Sequence, residues 1–129
     1  MIIPCEMAVK SVVPSIRAMV AKELTESYNM KQGDIAGILG ITQSAVSQYL
    51  NHVRGNALDF NDVEEVHFAV KDLVSMLMEP PKSTRTICQK YCEICKIIRT
   101  RRIMCQVHHR LDPLYDMTNC DICLPLEGK

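Results

Sequence analysis

The sequence lacks several features that would place it in other protein classes. No apolar run approaches the roughly 18 residues that suggest a membrane-spanning helix, so we expect no membrane partner. Residues 1–6 lack the basic start and the long apolar stretch of a signal peptide, which favours a cytoplasmic location with reduced thiols. There is no internal repeat, no low-complexity tract and no substrate-pocket motif. We therefore do not expect an enzyme.

The chain also lacks an excess of charge of either sign, because its formal net charge is +0. The balance hides an uneven distribution. Residues 1–57 carry five basic and four acidic side chains, residues 58–79 carry one and six, and residues 80–129 carry nine and five. The three segments thus differ, with net charges of +1, −5 and +4. This charge pattern is compatible with nucleic-acid binding but does not by itself indicate it.

Hydrophobic spacing and helix-breaking residues divide the chain into three segments, residues 1–56, 57–79 and 80–129. In the first segment, Pro14 suits the first turn of a helix that runs to about Tyr28. We expect a mostly α fold, in which an N-terminal helix-turn-helix bundle is followed by a small, cysteine-rich tail that a metal organises.

The second segment has the pattern of an amphipathic helix. Asn61 and Glu64 predict a cap at its start, and the Pro-Pro pair at residues 80–81 predicts its end. Its apolar stripe is wide enough to serve as a dimer contact.

The third segment has helical character from Thr84 to Met104 and the composition of a loop from Leu111 onward. A basic stretch, residues 99–102, lies inside the helical part. Two interpretations are equally open for it: contact with a DNA backbone, or a solvated helix face.

Residues 32–51 have the pattern of two short helices joined by a tight turn. Gly40 allows the positive φ that such a turn needs, and Thr42 can cap the second helix. The second helix then presents amide and hydroxyl side chains, which can read base edges in a DNA major groove. These side chains are Gln43, Ser44, Ser47, Gln48 and Asn51.

The stretch from Ala36 to Ser47 reads A-x-x-L-G-I-T-Q-S-A-V-S and resembles the helix-turn-helix of the Cro and lambda-repressor family. The resemblance implies a homodimer that binds palindromic double-stranded DNA. It further implies contacts to DNA from Gln43, Ser44, Ser47 and Gln48, and contacts to phosphates from Gln32 and Thr42.

One departure from that family is the scarcity of basic residues in the second helix. Phosphate affinity must then come from helix N-termini, from Lys31 and Arg54, or from the tail. The alternative interpretation is an amphipathic helix pair used for protein contact. Its weakness is the outward face, because a solvated helix would normally carry more lysine and glutamate than amide and hydroxyl groups.

Six of the seven cysteines lie between Cys88 and Cys123. Two Cys-x-x-Cys pairs can each place two sulfur atoms on one metal, and a further cysteine lies between the pairs. We predict five metal ligands: Cys92, Cys95, Cys105, Cys120 and Cys123.

Because these ligands exceed four, three kinds of centre remain open. Three or four thiolates can hold an iron–sulfur cluster, or the two pairs can bind one structural zinc. Without metal, the thiols would be packed apolar groups or a reversible disulfide. His108, beside His109, adds a possible nitrogen ligand, whereas Cys5 stands apart and is expected to be a packed thiol.

Taken end to end, the layout resembles small archaeal regulators that pair an N-terminal helix-turn-helix with a C-terminal cysteine cluster. The matching residues are Pro4-Cys5-Glu6, residues 39–47 and the five predicted ligands. The resemblance implies a sequence-specific transcriptional regulator that senses redox state or iron through its tail. The alternatives are a small redox or electron-transfer protein, and a regulator with a purely structural zinc.

Overall fold

The secondary structure is helical, as expected from the sequence. The computed structural model describes residues 1–60, 62–79, 83–116, 118 and 120–123. Within these ranges there is no β-strand, and the predicted mostly α class is confirmed. None of the helices found there is both long and apolar enough to cross a membrane. The cap predicted at Asn61 and the stop predicted at residues 80–81 lie outside the described residues.

A continuous helical run opens the chain. It consists of α1 (Pro4–Met7), a π-helical turn (Ala8–Val12) and α2 (Val13–Tyr28). Proline at the first helical position needs no N–H partner, and the Glu6 carboxylate accepts the N–H of Ile3 at 3.4 Å. As predicted, Pro14 lies in the first turn of α2, which ends at Tyr28, but the sequence did not show that helical structure precedes it from Pro4.

Pro14 lies inside this run because the π-helical turn before it changes the hydrogen-bond pattern. The N–H of Val13, which follows the turn, donates to the carbonyl oxygen of Ala8, five residues back. Proline itself has no N–H that needs an acceptor. The buried hydroxyls of Ser11 and Ser15 donate to the carbonyl oxygens of Met7 and Ser11 at 2.6 and 2.7 Å. The hydroxyls thus satisfy acceptors where the regular ladder is interrupted.

The centre of the core is α2, which contacts four of the helices that follow. These are α3 (Gln32–Leu39), α4 (Gln43–Leu50), α5 (Glu64–Met78) and α6 (Thr84–Thr100), and the chain then forms α7 (Cys105–Leu111). Ile16, Val20 and Leu24 recur every four residues on the buried side of α2. Burial of each such side chain contributes about 1.5–3 kcal/mol.

The apolar stripe of α5 is covered inside the monomer. Val66, Leu73 and Val74 are at most 1% exposed, and α5 packs against α2 and α6. Phe68, which is 68% exposed, is the large apolar side chain that α5 leaves in solvent. The stripe predicted to be a dimer contact is therefore already used within the chain, and the homodimer stays a prediction that needs another surface.

The tail contains two helices where the sequence predicted one. α6 ends at Thr100 and α7 begins at Cys105, with Arg102 between them at φ 60°. This left-handed conformation is uncommon for arginine and turns the chain away from the axis of α6. The loop predicted from Leu111 begins where α7 ends.

Two hydrogen bonds hold the N-terminus against α7. The N–H of Ile2 donates to a carboxylate oxygen of Asp112 at 3.0 Å, and the carbonyl oxygen of Ile2 lies 2.8 Å from Nε2 of His108. α1 also packs against α7. The two ends of the described chain therefore meet.

Candidate nucleic-acid interface and thiol cluster

A tight turn joins α3 to α4, and its residues specify its shape. Gly40 ends α3 with φ 67° and ψ 32°, the left-handed conformation that glycine adopts at low cost. The N–H of Ile41 donates to the carbonyl oxygen of Ala36 at 3.1 Å. Thr42 Oγ1 accepts the N–H of Ala45 at 3.0 Å and so caps α4. Both the turn glycine and the threonine cap are as the sequence predicted.

The inner sides of α3 and α4 are buried. Ile35, Val46 and Tyr49 are at most 2% exposed, and α2 contacts both helices. These contacts fix the position of α4 relative to the core, and they leave its opposite side for solvent.

The side chains predicted to read DNA form what we call the outer face of α4: Gln43, Ser44, Ser47, Gln48 and Asn51. Three of them are exposed and two are half-buried. Nδ2 of Asn51 donates to Oγ of Ser47 at 3.2 Å. Of the two predicted phosphate contacts, Thr42 is exposed and Gln32 is half-buried at the start of α3.

Arg54, in the loop after α4, lies beside the outer face. Its Nη1 is 3.5 Å from Oε1 of Gln48, and its guanidinium carbon lies 5.1 Å from the centre of the Tyr49 ring. The next residue, Gly55, has φ 74°, and a Cβ there would lie 2.5 Å from the carbonyl oxygen of Pro14. Close packing of Gly55 on α2 therefore holds this loop, and with it Arg54, against α4.

Two arginines of the basic stretch are bonded within the chain. Nη2 of Arg101 lies 2.9 Å from a carboxylate oxygen of Glu65 on α5, and Nη1 of Arg102 donates to the carbonyl oxygen of Cys120 at 2.8 Å. Both residues are nonetheless exposed, so the two interpretations of the basic stretch stay open. Part of the positive charge of the tail is paired with the acidic middle segment and with the tail backbone.

Three of the predicted ligands line one small cavity: Cys105, Cys120 and Cys123. Its volume is about 20 Å³, which is room for roughly one water molecule or ion. His108 and Tyr115 complete one side of it, and the Tyr115 hydroxyl lies 3.0 Å from Sγ of Cys120. That hydrogen bond raises the pKa of Tyr115 to about 12.

Arg99 connects the cavity to α6. A hydrogen bond from its guanidinium to Cys123 raises the pKa of Arg99, with smaller contributions from Cys95 and Cys5. Its Nε atom is buried and has no hydrogen-bond partner among the described residues. A buried donor without an acceptor costs free energy, and a thiolate or sulfide sulfur would supply one.

We call Cys95, Cys105, Cys120, Cys123 and Arg99 the thiol cluster. Burial raises the pKa of Cys95 and of Cys105. Both groups are therefore held as neutral thiols, which are weaker nucleophiles than thiolates. A metal that binds such thiols displaces their protons.

The remaining predicted ligand, Cys92, lies one turn before Cys95 on α6 and is exposed. In the described part of the chain, no three His, Cys, Asp or Glu side chains form a group that could hold a metal as they stand. The structure thus brings three of the five predicted cysteines to one cavity, with Cys95 beside Arg99, without placing their sulfur atoms in coordination geometry.

Cys5 was expected to be a packed thiol, and that prediction is wrong, because Cys5 is exposed. The residue before it, Pro4, lines the cavity, and α1 packs on α7. His108 also belongs to this region, because its ring stacks on that of Tyr115 at 4.6 Å between centroids.

No protein-family model, no curated protein and no solved structure matches this chain. The likeness to the Cro family therefore stays a resemblance that residues 36–47 carry. The features that bear on function are the outer face of α4 and the thiol cluster.

Proposed function

We propose that the protein is a transcriptional regulator that binds a specific double-stranded DNA sequence through α4. One observation carries this proposal: the outer face of α4 presents amide and hydroxyl groups to solvent, while the inner side of the same helix is buried on the core. An α-helix fits the major groove, where glutamine and asparagine can pair with adenine and serine can bond to several bases.

The residues around α4 supply the phosphate contacts that such a complex needs. Lys31 and Thr42 are exposed at the starts of α3 and α4, and Arg54 is held beside the end of α4. Phosphate contacts fix the position of a protein on the duplex, and base contacts give its specificity. With so few cations near α4, we expect a shallow salt dependence per monomer.

Selection from a random pool of duplex DNA, followed by fluorescence anisotropy, tests this proposal. The double variant Gln43→Ala, Ser47→Ala should lose about 1–3 kcal/mol of discrimination for each good base contact removed. Gln89→Ala, Ser75→Ala is the matched control, since both residues are exposed on other helices. The control should bind the selected sequence as tightly as the wild type does.

Two results would contradict the proposal. Undiminished selective binding by the Gln43→Ala, Ser47→Ala variant would remove α4 from the interface. Failure of the wild-type protein to enrich any sequence would favour the other interpretations, in which the helix pair is a protein contact or a scaffold in a small redox protein.

We further propose that this regulator senses iron or redox state through a metal centre held by thiolates. The specific observation is the cavity lined by three cysteines, beside the buried and unpartnered Nε of Arg99. When bound, an iron–sulfur cluster would supply electron transfer or sensitivity to oxygen, whereas zinc would supply structure alone. A single ion matches the volume of the cavity, whereas an iron–sulfur cluster would require the cysteines to move apart; Arg99 would donate to the sulfur atoms of either centre.

Anaerobic purification with a visible spectrum and analysis of metal and sulfide separates these centres. Bound iron and sulfide with broad visible absorption would support a sensor. A colourless protein that holds one zinc would leave a regulator with a structural tail. A protein that binds neither after reconstitution would contradict the metal centre and leave the DNA-binding proposal to its own test.

A further inference from the structure

A cleft much larger than the thiol-lined cavity opens between α2, α5 and the loop that follows α4. Its volume is about 600 Å³, within the roughly 300–1,000 Å³ range of small-molecule sites in proteins. The end of α4 also lines it, through Tyr49 and Leu50. None of its lining residues belongs to the outer face of α4 or to the thiol cluster. The two functions proposed above therefore leave this cleft unused.

The loop that forms one side of the cleft is held in a defined shape. Gly55 packs closely on α2, and Nδ2 of Asn56 donates to the carbonyl oxygen of His52 at 2.9 Å. His52 itself has φ 59°, a left-handed conformation that is uncommon for a residue with a side chain. At the other end of the loop, Nε2 of His67 on α5 lies 2.9 Å from the carbonyl oxygen of Phe60. The cleft is thus preformed, as small-molecule sites usually are.

Part of the cleft is apolar. Six apolar side chains from α2, α4, the loop and α5 line it: Ala18, Met19, Leu50, Leu58, Phe60 and Val70. The first four of these are half-buried, so a ligand in the cleft would remove more of their apolar surface from water. This surface is suited to the hydrocarbon part of a ligand.

The charged groups that remain available in the cleft are mainly cations. Lys22 on α2 and Lys71 on α5 are exposed, and neither forms an ion pair with another described residue. Two of the three carboxylates on the lining are already engaged. The carboxylate of Glu23 accepts the hydroxyl of Ser27 at 2.8 Å, and Asp59 interacts with another group. The two lysines are therefore placed to attract an anionic group.

We propose that this cleft binds a small amphipathic organic anion. Its hydrocarbon part lies on the apolar side chains, and its carboxylate or phosphate group pairs with Lys22 and Lys71. Glu26, the third carboxylate on the lining, repels the anion and limits its affinity. The proposal thus predicts opposite effects for the loss of a lysine and the loss of this glutamate.

A ligand in the cleft would also affect the DNA contacts, a consequence that rests on the DNA-binding function proposed above. Leu50, the last residue of α4, lines the cleft, and the loop beside it carries Arg54 at the outer face of α4. By holding this loop, the ligand would fix the position of Arg54 relative to the duplex. DNA affinity should then change when the cleft is filled.

NMR titration of the full ¹⁵N-labelled chain with octanoate tests the site without DNA. The expected result is saturable binding that shifts the amide signals of residues 50–60 and 67–71. Acetate lacks the hydrocarbon chain and octylamine has the opposite charge, so neither should bind as tightly. Octyl phosphate tests the other anionic group, and tighter binding of either anion supports the proposal and identifies the preferred group.

Substitutions at the lining give the second part of the test. Lys22→Met and Lys71→Met should each weaken binding of the anion by about 5-fold, the upper end of what an exposed ion pair contributes, and Glu26→Gln should strengthen it. Lys10→Met is the matched control, because Lys10 is exposed in the π-helical turn and does not line the cleft.

Three results would overturn the ligand site. These are no saturable binding of either anion, binding of octylamine as tight as that of octanoate, and a loss in Lys10→Met equal to that in Lys22→Met. Octanoate binding that leaves the affinity for the selected DNA unchanged would overturn only the effect on DNA. Failure of the wild-type protein to select any DNA would contradict the DNA-binding function, and the titration would still decide the ligand site.

Discussion

The α3–α4 pair and the thiol cluster are specified in opposite ways. The pair is determined by neighbours in sequence, with Gly40 turning the chain and Thr42 capping α4. The cluster depends on contacts between distant parts of the chain, of which the bond from Arg102 to Cys120 and the bonds of Ile2 to α7 are the clearest. Local signals define the turn and the cap of the pair, whereas the cluster depends on contacts between residues far apart in sequence.

The contrast extends to burial. The inner sides of α3 and α4 lie on a core whose side chains are almost fully buried, while α6 has only two buried residues, Ile94 and Ile98. Regions with few buried apolar contacts open first. We therefore expect metal to order the tail and to leave the internal structure of the α3–α4 pair unchanged.

The largest effect should follow from Cys123→Ser. Cys123 lines the cavity and accepts a hydrogen bond from Arg99, so its loss removes one sulfur ligand of the proposed centre and one of the sulfur partners of the arginine. Metal affinity should fall by more than about 100-fold. Hydrogen exchange should show lost protection in α7 and unchanged protection in α4. Equal loss of protection in both helices would show that the tail and the α3–α4 pair do not open independently.

Gly55→Ala should give the next largest effect. Alanine at this position would have to adopt φ 74°, and its Cβ would lie 2.5 Å from the carbonyl oxygen of Pro14. We expect this strain to lower the free energy of unfolding by about 1–3 kcal/mol. Urea denaturation measures the loss. Gly37→Ala is the matched control: it has open space in α3 and should stabilise by about 0.5–1 kcal/mol. Similar effects at both glycines would contradict close packing of the loop on α2.

Arg99→Gln should weaken metal binding by about 10–100-fold, because Arg99 is a positioning residue that donates to sulfur without being a ligand. Arg101→Gln is the control, since Arg101 is paired with Glu65 outside the cavity and should leave metal affinity unchanged. Competition against a chelator measures both variants. If Arg101→Gln lowered metal affinity as much as Arg99→Gln, the effect would come from the loss of positive charge in general, which would contradict a specific role for Arg99.

The smallest effect should come from Thr42→Ala, which removes the cap of α4. The loss of the hydrogen bond to the N–H of Ala45 should cost about 1 kcal/mol of folding free energy. Thr42→Ser keeps the hydroxyl and should restore most of that stability. If the serine variant were as unstable as the alanine variant, the cap would not be the cause.

The parts of the structure that the sequence predicted are those with local signals. A glycine at the turn and a threonine before α4 act on their own neighbours, so their roles were readable. Pro14 correctly marked the first turn of α2, but α1 and the π-helical turn before it were not predicted. The break between α6 and α7 was hidden because it falls on Arg102, whose positive φ has no sequence signature.

The thiol cluster was predictable in part. The spacing of the two Cys-x-x-Cys pairs predicts metal ligands, but the position of Arg99 at the cavity follows from tertiary packing. The pairing of Arg101 with Glu65 was likewise invisible, although the opposite charges of the two segments were plain. Long-range contacts of this kind depend on tertiary structure and not on local pattern.

The most direct test of the central claim is the affinity of the full chain for its selected DNA sequence, measured anaerobically with and without reconstituted metal. We predict a clear preference over scrambled DNA, and a change in affinity of about 5–150-fold on loading, the range typical of coupled sites. Equal affinity for selected and scrambled DNA in both states would contradict the assignment of a metal-responsive, DNA-binding regulator.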